Sequence, residues 1–258
     1  MNRQSFENVF LIGIRIDILD VNQLISYLIS CVTEHNKIII SYANVHAIDI
    51  AYKDNLFRNI LNSSAIVFCD GFGVKWATRL IYKKELHRFT PPDWFPILAK
   101  ECSKIGMSMF FLGGRPGVAE KAASKLTSEY PGLRILGSHH GYFDKNHTSV
   151  ENLEVLKEVN FMQPDILVVG FGMPAQEKWI YENLEELDIK VALSVGALFD
   201  YLAGEVYRVP RWMTDHGLEW LGRLIIEPGR LWRRYILGNP LFVWRLFKHH
   251  VLGLKLPE

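Results

Sequence analysis

The chain has 258 residues, of which 49% are hydrophobic and 22% are charged, and it includes 19 glycines and 11 prolines. This composition is typical of a globular protein and excludes a disordered chain, a collagen-like repeat and a coiled coil. With 29 basic against 28 acidic residues the formal net charge is +1, so no global field indicates a nucleic-acid partner.

The cysteines and the apolar runs indicate the compartment. Cys31, Cys69 and Cys102 are an odd number without metal-type spacing, which predicts a reducing environment and no disulfide framework. The longest run without a charged residue, Val21–Thr33, has 13 residues, whereas about 20 are needed to cross a bilayer. The first residues also lack the pattern of a secretory signal. We therefore expect a protein of the cytoplasm.

Short apolar runs alternate along the chain with longer amphipathic stretches. The predicted strands are Val9–Ile14, Lys37–Tyr42, Ala65–Phe68, Ser108–Leu112, Arg134–Gly137, Asp165–Val169 and Val191–Val195. The predicted helices are Val21–Thr33, Gly73–Leu80, Gly117–Glu129, Ser149–Phe161 and Ala175–Leu187. Several strands are apolar throughout, as expected for strands covered on both faces. The alternation predicts right-handed crossovers and an α/β fold with a mostly parallel sheet.

The composition changes near residue 208, after which no strand pattern is found. Four of the seven tryptophans lie between residues 212 and 244, and Glu219 and Glu227 are the only acids between residues 217 and 250. We divide the chain into an α/β core, residues 1–208, and a helical appendage rich in Trp and Arg, residues 209–258. Tryptophan prefers the membrane–water interface, so the appendage is either an interfacial anchor or an ordinary helical subdomain packed on the core.

Two candidate polar residues follow predicted strands. Asp70 ends the run Phe68-Cys69-Asp70-Gly71, at the carboxyl edge where α/β sheets bind ligands, so it is either a general base or the cap of the next helix. Asn44 follows another strand and is either a partner for a sugar hydroxyl or a helix cap. Arg88 is a candidate anion ligand, although it can equally pair with Asp93.

Glycine turns follow two further strands. Gly113 and Gly114 precede one helix start, and Gly170 and Gly172 precede another. Glycines let backbone N–H groups approach a phosphate, although plain strand-to-helix turns use the same residues. Gln176 and Glu177 open the helix after the second turn, so Gln176 is a candidate hydrogen-bond partner for a sugar or a uracil.

The sequence lacks the usual motifs for a metal-bound diphosphate and for a dinucleotide. No Asp-x-Asp pair occurs, so a diphosphate–metal clamp is not expected, and charge on a leaving pyrophosphate would need arginines and helix ends. The turn at Gly113 lacks the full dinucleotide fingerprint. Two alternatives nevertheless remain open, an NAD(P)-binding oxidoreductase and a non-catalytic membrane scaffold. The pattern also leaves open whether the chain forms a homo-oligomer.

Together these residues resemble the WecG/TagA/CpsF family of bacterial glycosyltransferases, which build linkage and repeat units of wall and surface polysaccharides. The matching stretches include Asp70-Gly71-Phe72-Gly73-Val74, Phe111-Leu112-Gly113-Gly114, Val169-Gly170-Phe171-Gly172-Met173-Pro174-Ala175-Gln176-Glu177, Val195-Gly196-Ala197-Leu198-Phe199-Asp200, Arg208-Val209-Pro210 and Glu227-Pro228-Gly229-Arg230. The resemblance implies a Rossmann-like fold of the GT-E type.

The resemblance also implies an activity. A UDP-sugar would donate, with inversion, to a polyprenyl-diphosphate-linked saccharide at the cytoplasmic leaflet of the membrane, and no cofactor is expected. The sugar would be N-acetylmannosamine, its uronic acid or glucose. The family's base falls on Asp70, and its sugar- and UDP-contacting positions fall on Asn44, Arg88 and Gln176.

Two further assignments come from the same resemblance. The family's diphosphate-covering arginines fall on Arg223, Arg230 and Arg233. Tyr42 stands where many members have threonine, so we include it among the substrate-binding candidates with Gly113, Gly114, Gly170, Gly172 and Glu177.

Overall fold

The computed structural model describes residues 6–34 and 37–253, with the exception of the side chains of Arg230 and Val251. Its main sheet has six parallel strands in the order β4-β3-β8-β7-β5-β6. They are β3 (Ile38–Ala43), β4 (Ile66–Cys69), β5 (Ser108–Gly113), β6 (Arg134–His139), β7 (Ile166–Gly170) and β8 (Val191–Ser194). The predicted α/β class with a parallel, Rossmann-like sheet is confirmed.

Helices connect the strands and cover both faces of the sheet. Those up to residue 203 are α1 (Val21–Thr33), α2 (Val45–Ala51), α3 (Asn55–Ser63), α4 (Phe72–Tyr82), α5 (Pro91–Ile105), α6 (Val118–Glu129), α7 (Val150–Met162), α8 (Ala175–Asn183) and α9 (Leu198–Ala203). The sequence predicts α1 with the observed bounds, but its apolar pattern does not reveal α2, α3, α5 or α9. Helix α8 ends four residues earlier than predicted, because residues 184–186 form a turn.

The core lies on the two faces of the sheet. Alternate residues of one strand enter different clusters: Met109 and Phe111 of β5 pack with α1, α5 and α6, whereas Phe110 and Leu112 pack with α7 and α8. All six residues of β5 are buried. This two-sided burial explains why the central strands are apolar at consecutive positions and not at alternate ones.

The prediction of a single strand at Val9–Ile14 is wrong. The segment is an antiparallel hairpin, β1 (Asn8–Leu11) and β2 (Ile14–Asp17), that lies outside the main sheet. Ile12 and Gly13 both have positive φ, 49° and 78°, which is the backbone geometry of a two-residue hairpin turn. Isoleucine is rare in that conformation, so the apolar run conceals the turn.

Beyond Pro210 every regular element of the described chain is helical. The elements are α10 (Arg211–Asp215), α11 (Glu219–Ile226), α12 (Pro228–Trp232), a π-helical turn (Arg233–Leu237), α13 (Gly238–Leu246) and a second π-helical turn (Phe247–Val251). Phe242 and Leu246 of α13 join the cluster formed by α2, α3 and α4. We refer to α10 through the second π-helical turn as the C-terminal helices. No helix of the described chain is long and apolar enough to pass through a membrane.

Candidate active site

Two adjoining cavities lie at the carboxyl ends of the sheet strands. The sheet-side cavity, ≈ 330 Å³, is bounded by the turns after β3, β4, β7 and β8. The helix-side cavity, ≈ 400 Å³, lies between α4 and the C-terminal helices. The residues that line both are Asn44, His46, Asp70, Thr90, Glu219, Arg223 and Arg234. Asp70 is therefore accessible from both cavities.

Asp70 is held at the end of β4 by its neighbours. Its N–H donates to the Ala43 carbonyl at 2.9 Å, and Asn44 Nδ2 donates to its carboxylate at 3.2 Å. Asn44 also caps α2, because its Oδ1 accepts from Ala47 N at 3.0 Å. The alternative in which Asp70 caps α4 is wrong, since Gly71 occupies the cap position without a side-chain hydrogen bond. The Asp70 carboxylate thus points into the cleft.

The environment shifts the ionisation of Asp70. The pKa of this carboxyl is raised from 3.8 to about 7, mainly by burial and then by the nearby Glu219 carboxylate, while Asn44, Arg88 and Arg234 act in the opposite direction. A carboxylate whose pKa lies near neutral pH accepts a proton efficiently in a transition state. The geometry and the electrostatics both make Asp70 a candidate general base.

Arg88 faces the helix-side cavity. Its Nη1 lies 3.2 Å from Glu219 Oε2 of α11, and its guanidinium lies 4.9 Å from the centre of the Phe72 ring. The alternative pairing with Asp93 is wrong. Asp93 pairs instead with Arg208 and completes the capping box of α5 with Thr90. Arg88 therefore connects the core to the C-terminal helices.

The predicted arginines of the appendage occupy different places. Arg223 lines both cavities, and its buried Nε has no hydrogen-bond acceptor in the described chain. Arg233 lines neither cavity, and its guanidinium lies 5.3 Å from the Trp232 ring centre. The adjacent Arg234 lines both cavities instead. Arg230 lies on α12, but its side chain is outside the described part of the structure.

Tyr42 forms part of the floor of the sheet-side cavity. Its hydroxyl lies so close to Gly196 that a Cβ at that glycine would be 2.6 Å from the oxygen. Burial raises the pKa of the Tyr42 hydroxyl, and Asp70 and Glu177 raise it further. Tyr42 is therefore a neutral hydrogen-bond donor at the base of this cavity.

The glycine turns use their amides within the protein. Gly114 N donates to the Gly170 carbonyl at 3.2 Å, and Gly113 packs so closely on Gly170 that a Cβ there would be 2.5 Å from its oxygen. Gly172 N and Gly196 N both donate to Gln176 Oε1, at 3.2 Å and 3.0 Å. Gly172 lines the sheet-side cavity, whereas Gly113, Gly114 and Gly170 line neither of the two. These glycines therefore allow close backbone packing.

Gln176 and Glu177 are buried behind the cavity wall and line neither cavity. Gln176 Nε2 donates to Glu177 Oε1 at 2.6 Å, which leaves Gln176 Oε1 to hold the two glycine amides. Burial raises the pKa of Glu177 to about 7, against the lowering effects of Gln176 and Ser194. The pair therefore braces the turns after β7 and β8 against each other.

Comparison with known proteins assigns the chain to a family. Residues 9–255 match the profile of the WecG/TagA/CpsF family of glycosyl transferases. The chain belongs to this family. It is a glycosyltransferase, which excludes the oxidoreductase and the non-catalytic scaffold that the motifs alone leave open.

Curated relatives match most of the length of the enzyme. It is 32% identical over 210 residues to the N-acetylglucosaminyldiphosphoundecaprenol N-acetyl-β-D-mannosaminyltransferase of Bacillus subtilis strain 168, covering 81% of this chain and 79% of the relative. It is 29% identical over 217 residues to the transferase of the same name from Staphylococcus aureus strain MRSA252, covering 83% and 81%.

Some site residues of this glycosyltransferase escape sequence reasoning. Arg234 and Glu219 line both cavities. Arg234 follows Arg230 by four residues and Arg223 by eleven, the spacing of one helix face, which is a signal that Arg233 lacks. Glu219 did leave a signal, because it is one of two acids in a long basic segment. His46 lies two residues after Asn44, and burial, together with Arg234, lowers its pKa to about 4, so its imidazole is neutral at neutral pH.

Proposed function

We propose that the enzyme transfers a sugar from a UDP-sugar to a polyprenyl-diphosphate-linked saccharide, with inversion at the anomeric carbon, in the synthesis of a bacterial cell-surface polysaccharide. The relatives' names specify N-acetylmannosamine as the sugar transferred and an N-acetylglucosaminyl diphosphoundecaprenol as the acceptor. N-acetylmannosamine is accordingly our first candidate for the transferred sugar, followed by its uronic acid and glucose.

The observation that carries this proposal is the position of Asp70 between two cavities. In our assignment the donor sugar occupies the sheet-side cavity, beside Tyr42, Asn44 and Gly172. The acceptor occupies the helix-side cavity, whose lining includes the aromatic side chains of Phe72, Trp76, Trp220 and Phe242. A lipid-linked sugar needs the more apolar of two sites, which favours this assignment over the reverse one.

The reaction then takes place beside Asp70, where the two cavities meet. The Asp70 carboxylate takes the proton from an acceptor hydroxyl, whose oxygen forms a bond to the anomeric carbon from the face opposite UDP. The bond between that carbon and the diphosphate oxygen breaks, and UDP leaves with its electron pair. General-base assistance of this kind contributes about 10²–10⁴-fold.

The charge that develops on UDP needs positive partners. Arg223 and Arg234 line both cavities, and the Nε of Arg223 lacks an acceptor, so they are suited to bind diphosphate oxygens. Within the described residues no group of three or more His, Cys, Asp or Glu side chains is arranged to hold a metal ion. Because Arg223 and Arg234 can neutralise the charge on UDP, we propose metal-independent transfer, for which the measurement is an unchanged rate after treatment with EDTA.

The C-terminal helices expose large apolar side chains. Ile225 is 70% exposed, Trp212 59% and Trp244 57%. Tryptophan and aliphatic residues beside basic ones are typical of an interfacial membrane contact. We propose that these helices attach the enzyme to the cytoplasmic face of the membrane, where a lipid-linked acceptor is found.

The deciding experiment is a transfer assay with the purified full-length enzyme. A panel of UDP-sugars is offered with a short-chain polyprenyl-diphosphate N-acetylglucosamine, and the product is identified by mass spectrometry, with NMR to settle epimer and anomer. We expect a disaccharide product with one donor, formed about 10²–10⁴-fold more slowly by the Asp70→Asn variant. Absence of product with every UDP-sugar would overturn the proposal.

A further inference from the structure

Helix α4 carries an apolar stripe that begins at the cavity and ends on the protein surface. Phe72, Trp76 and Leu80 are spaced four residues apart, so they lie along one face of the helix. Phe72 lines the helix-side cavity. Trp76 is 59% exposed and Leu80 55% exposed. Other large apolar residues of the α/β core are also exposed, but these two continue the apolar lining of the cavity onto the surface.

Positive charge flanks the same stripe. Arg79 and Lys83 are exposed and line a surface groove together with Trp76 and Leu80. The neighbouring Lys75 and Lys84 are paired with Glu85 at 3.6 Å and with Glu7 at 2.6 Å. Arg79 and Lys83 form no ion pair with any carboxylate of the described residues. The groove therefore combines apolar surface with two uncompensated cations.

The stripe is continuous with the exposed apolar surface of the last helix. Trp76 and Val243 line the same helix-side cavity, from α4 and from α13. The two helices are neighbours, since the Phe242 ring lies 3.9 Å from the Cβ position of Gly73. Val243 is 54% exposed and the adjacent Trp244 57% exposed. Exposed apolar residues of a core helix and of a C-terminal helix thus flank one cavity.

We infer that α4 is a second membrane-contact element, which docks on an anionic phospholipid bilayer. Trp76 and Leu80 enter the interfacial layer, and Arg79 and Lys83 bind lipid phosphates. If the proposed function is correct, the polyprenyl chain of the acceptor leaves the helix-side cavity between Trp76 and Val243 and enters the bilayer there. The core itself then takes part in docking, in addition to the C-terminal helices.

A second copy of the chain fits this surface less well than a bilayer does. In a two-fold symmetric contact the same patch meets itself, so the Arg79 and Lys83 cations of each copy would face like charges. An anionic membrane surface instead neutralises them. The charge pattern therefore selects the lipid as the occupant of the groove.

The test measures binding of the full-length enzyme to vesicles by co-sedimentation, without substrates. One set of vesicles is pure phosphatidylcholine, and the other is an equal mixture of phosphatidylcholine and phosphatidylglycerol. The variants are Leu80→Glu, which places a charge in the stripe, and Arg79→Gln with Lys83→Gln, which removes the cations. Phe161→Glu on α7 is the matched control, because Phe161 is an apolar surface residue of the α/β core that is 84% exposed and lies outside the stripe.

We expect the double charge variant to lose about fivefold in affinity for the mixed vesicles for each cation removed, with little change on pure phosphatidylcholine. Leu80→Glu should weaken binding to both vesicles, and Phe161→Glu to neither. Thermal melts by circular dichroism verify that each variant is folded. Binding of the Leu80 and charge variants equal to that of the unaltered enzyme would overturn the inference.

Two further readouts separate this inference from its alternatives. If light scattering without lipid shows that Leu80→Glu converts a dimer to a monomer, the groove holds a second copy and the membrane inference is overturned. A transfer assay with the short-chain, water-soluble acceptor should give equal rates for the unaltered enzyme and the double charge variant. Absence of transfer by the unaltered enzyme would overturn the proposed function, while the vesicle result still decides the inference.

Discussion

The two walls of the cleft differ in where their hydrogen-bond donors are directed. On the sheet side, the N–H groups of Gly172 and Gly196 already donate to Gln176. On the helical side, Arg223 has a buried nitrogen without an acceptor, and Arg234 lines both cavities. The core wall, formed by the turns after the strands, thus supplies shape and the carboxylate of Asp70, whereas the two arginines that line both cavities come from the C-terminal helices.

The largest expected effect tests the core wall. Asp70→Asn keeps the shape and the hydrogen-bonding capacity of the side chain but removes the base, so the transfer rate should fall by about 10²–10⁴-fold. UDP binding, measured by calorimetry, should stay nearly the same because the arginines are intact. Turnover equal to that of the unaltered enzyme would remove Asp70 from this role.

The next effect tests the helical wall through two adjacent residues. Arg234→Ala removes a cavity-lining cation and should reduce kcat/KM by about 10- to 100-fold, the usual value of a charge-assisted hydrogen bond. Arg233→Ala should cost clearly less, because Arg233 lies on the Trp232 ring outside both cavities. Arg223→Ala should resemble Arg234→Ala. An Arg233 variant as impaired as the Arg234 variant would contradict the observation that only Arg234 of this pair lines the cavities.

The pH profile sharpens the account of Asp70. Because its pKa is raised to about 7, the carboxylate is the minor form below that pH. The pH dependence of kcat/KM reports the ionisation of the free enzyme. We therefore expect kcat/KM to fall by about tenfold per pH unit below pH 7 and to reach a plateau above it. A profile that is flat between pH 5 and 8 would show that no group with this pKa limits the reaction.

The same shift has a consequence for stability. The folded state holds the Asp70 proton up to about pH 7, whereas the unfolded chain releases it near pH 3.8. The contribution of this group to the stability of the folded state is complete below pH 3.8 and is lost as the pH rises to the folded-state pKa of about 7. Asp70→Asn should therefore raise the melting temperature more at pH 8 than at pH 4.5, as measured by calorimetry.

The smallest expected effect concerns the brace behind the core wall. Glu177→Ala removes the acceptor that orients Gln176, so the turns holding Gly172 and Gly196 should shift and kcat should fall by about tenfold. Glu177→Gln retains an acceptor oxygen for Gln176 Nε2 and should restore most of the rate. A substrate-binding role for the Glu177 charge would instead make both variants equally inactive and raise KM in both.

The sequence is most informative where burial acts on whole segments. Strands β5 and β7 are apolar at consecutive positions because both of their faces are covered, and their prediction is confirmed within a residue. The segment Val9–Ile14 is equally apolar, yet it turns back on itself at Ile12 and Gly13. Hydrophobicity reports burial, but it does not report the sign of φ.

The candidate site shows the same division. Asp70 and Asn44 were identifiable from the sequence because each directly follows a strand, and parallel strands place their carboxyl ends at one edge. The partner of Arg88 was not identifiable, since the sequence suggests the nearby Asp93, whereas Glu219 lies 131 positions away in the chain. The structure decides for Glu219 because α11 returns over the cleft.

By itself, the sequence determined the α/β class, the positions of the main strands along the chain, and Asn44 and Asp70 as candidates at the ends of β3 and β4. These properties depend on local periodicity and on the rule that parallel strands share a carboxyl edge. Only the tertiary structure decided which appendage arginines face the cleft and that the glycine amides are occupied. Those outcomes depend on the break between α11 and α12 and on side chains such as Gln176, whose partners are distant in the chain. Long-range hydrogen bonds and the direction a chain takes after a helix break are fixed by packing, and local sequence carries no record of them.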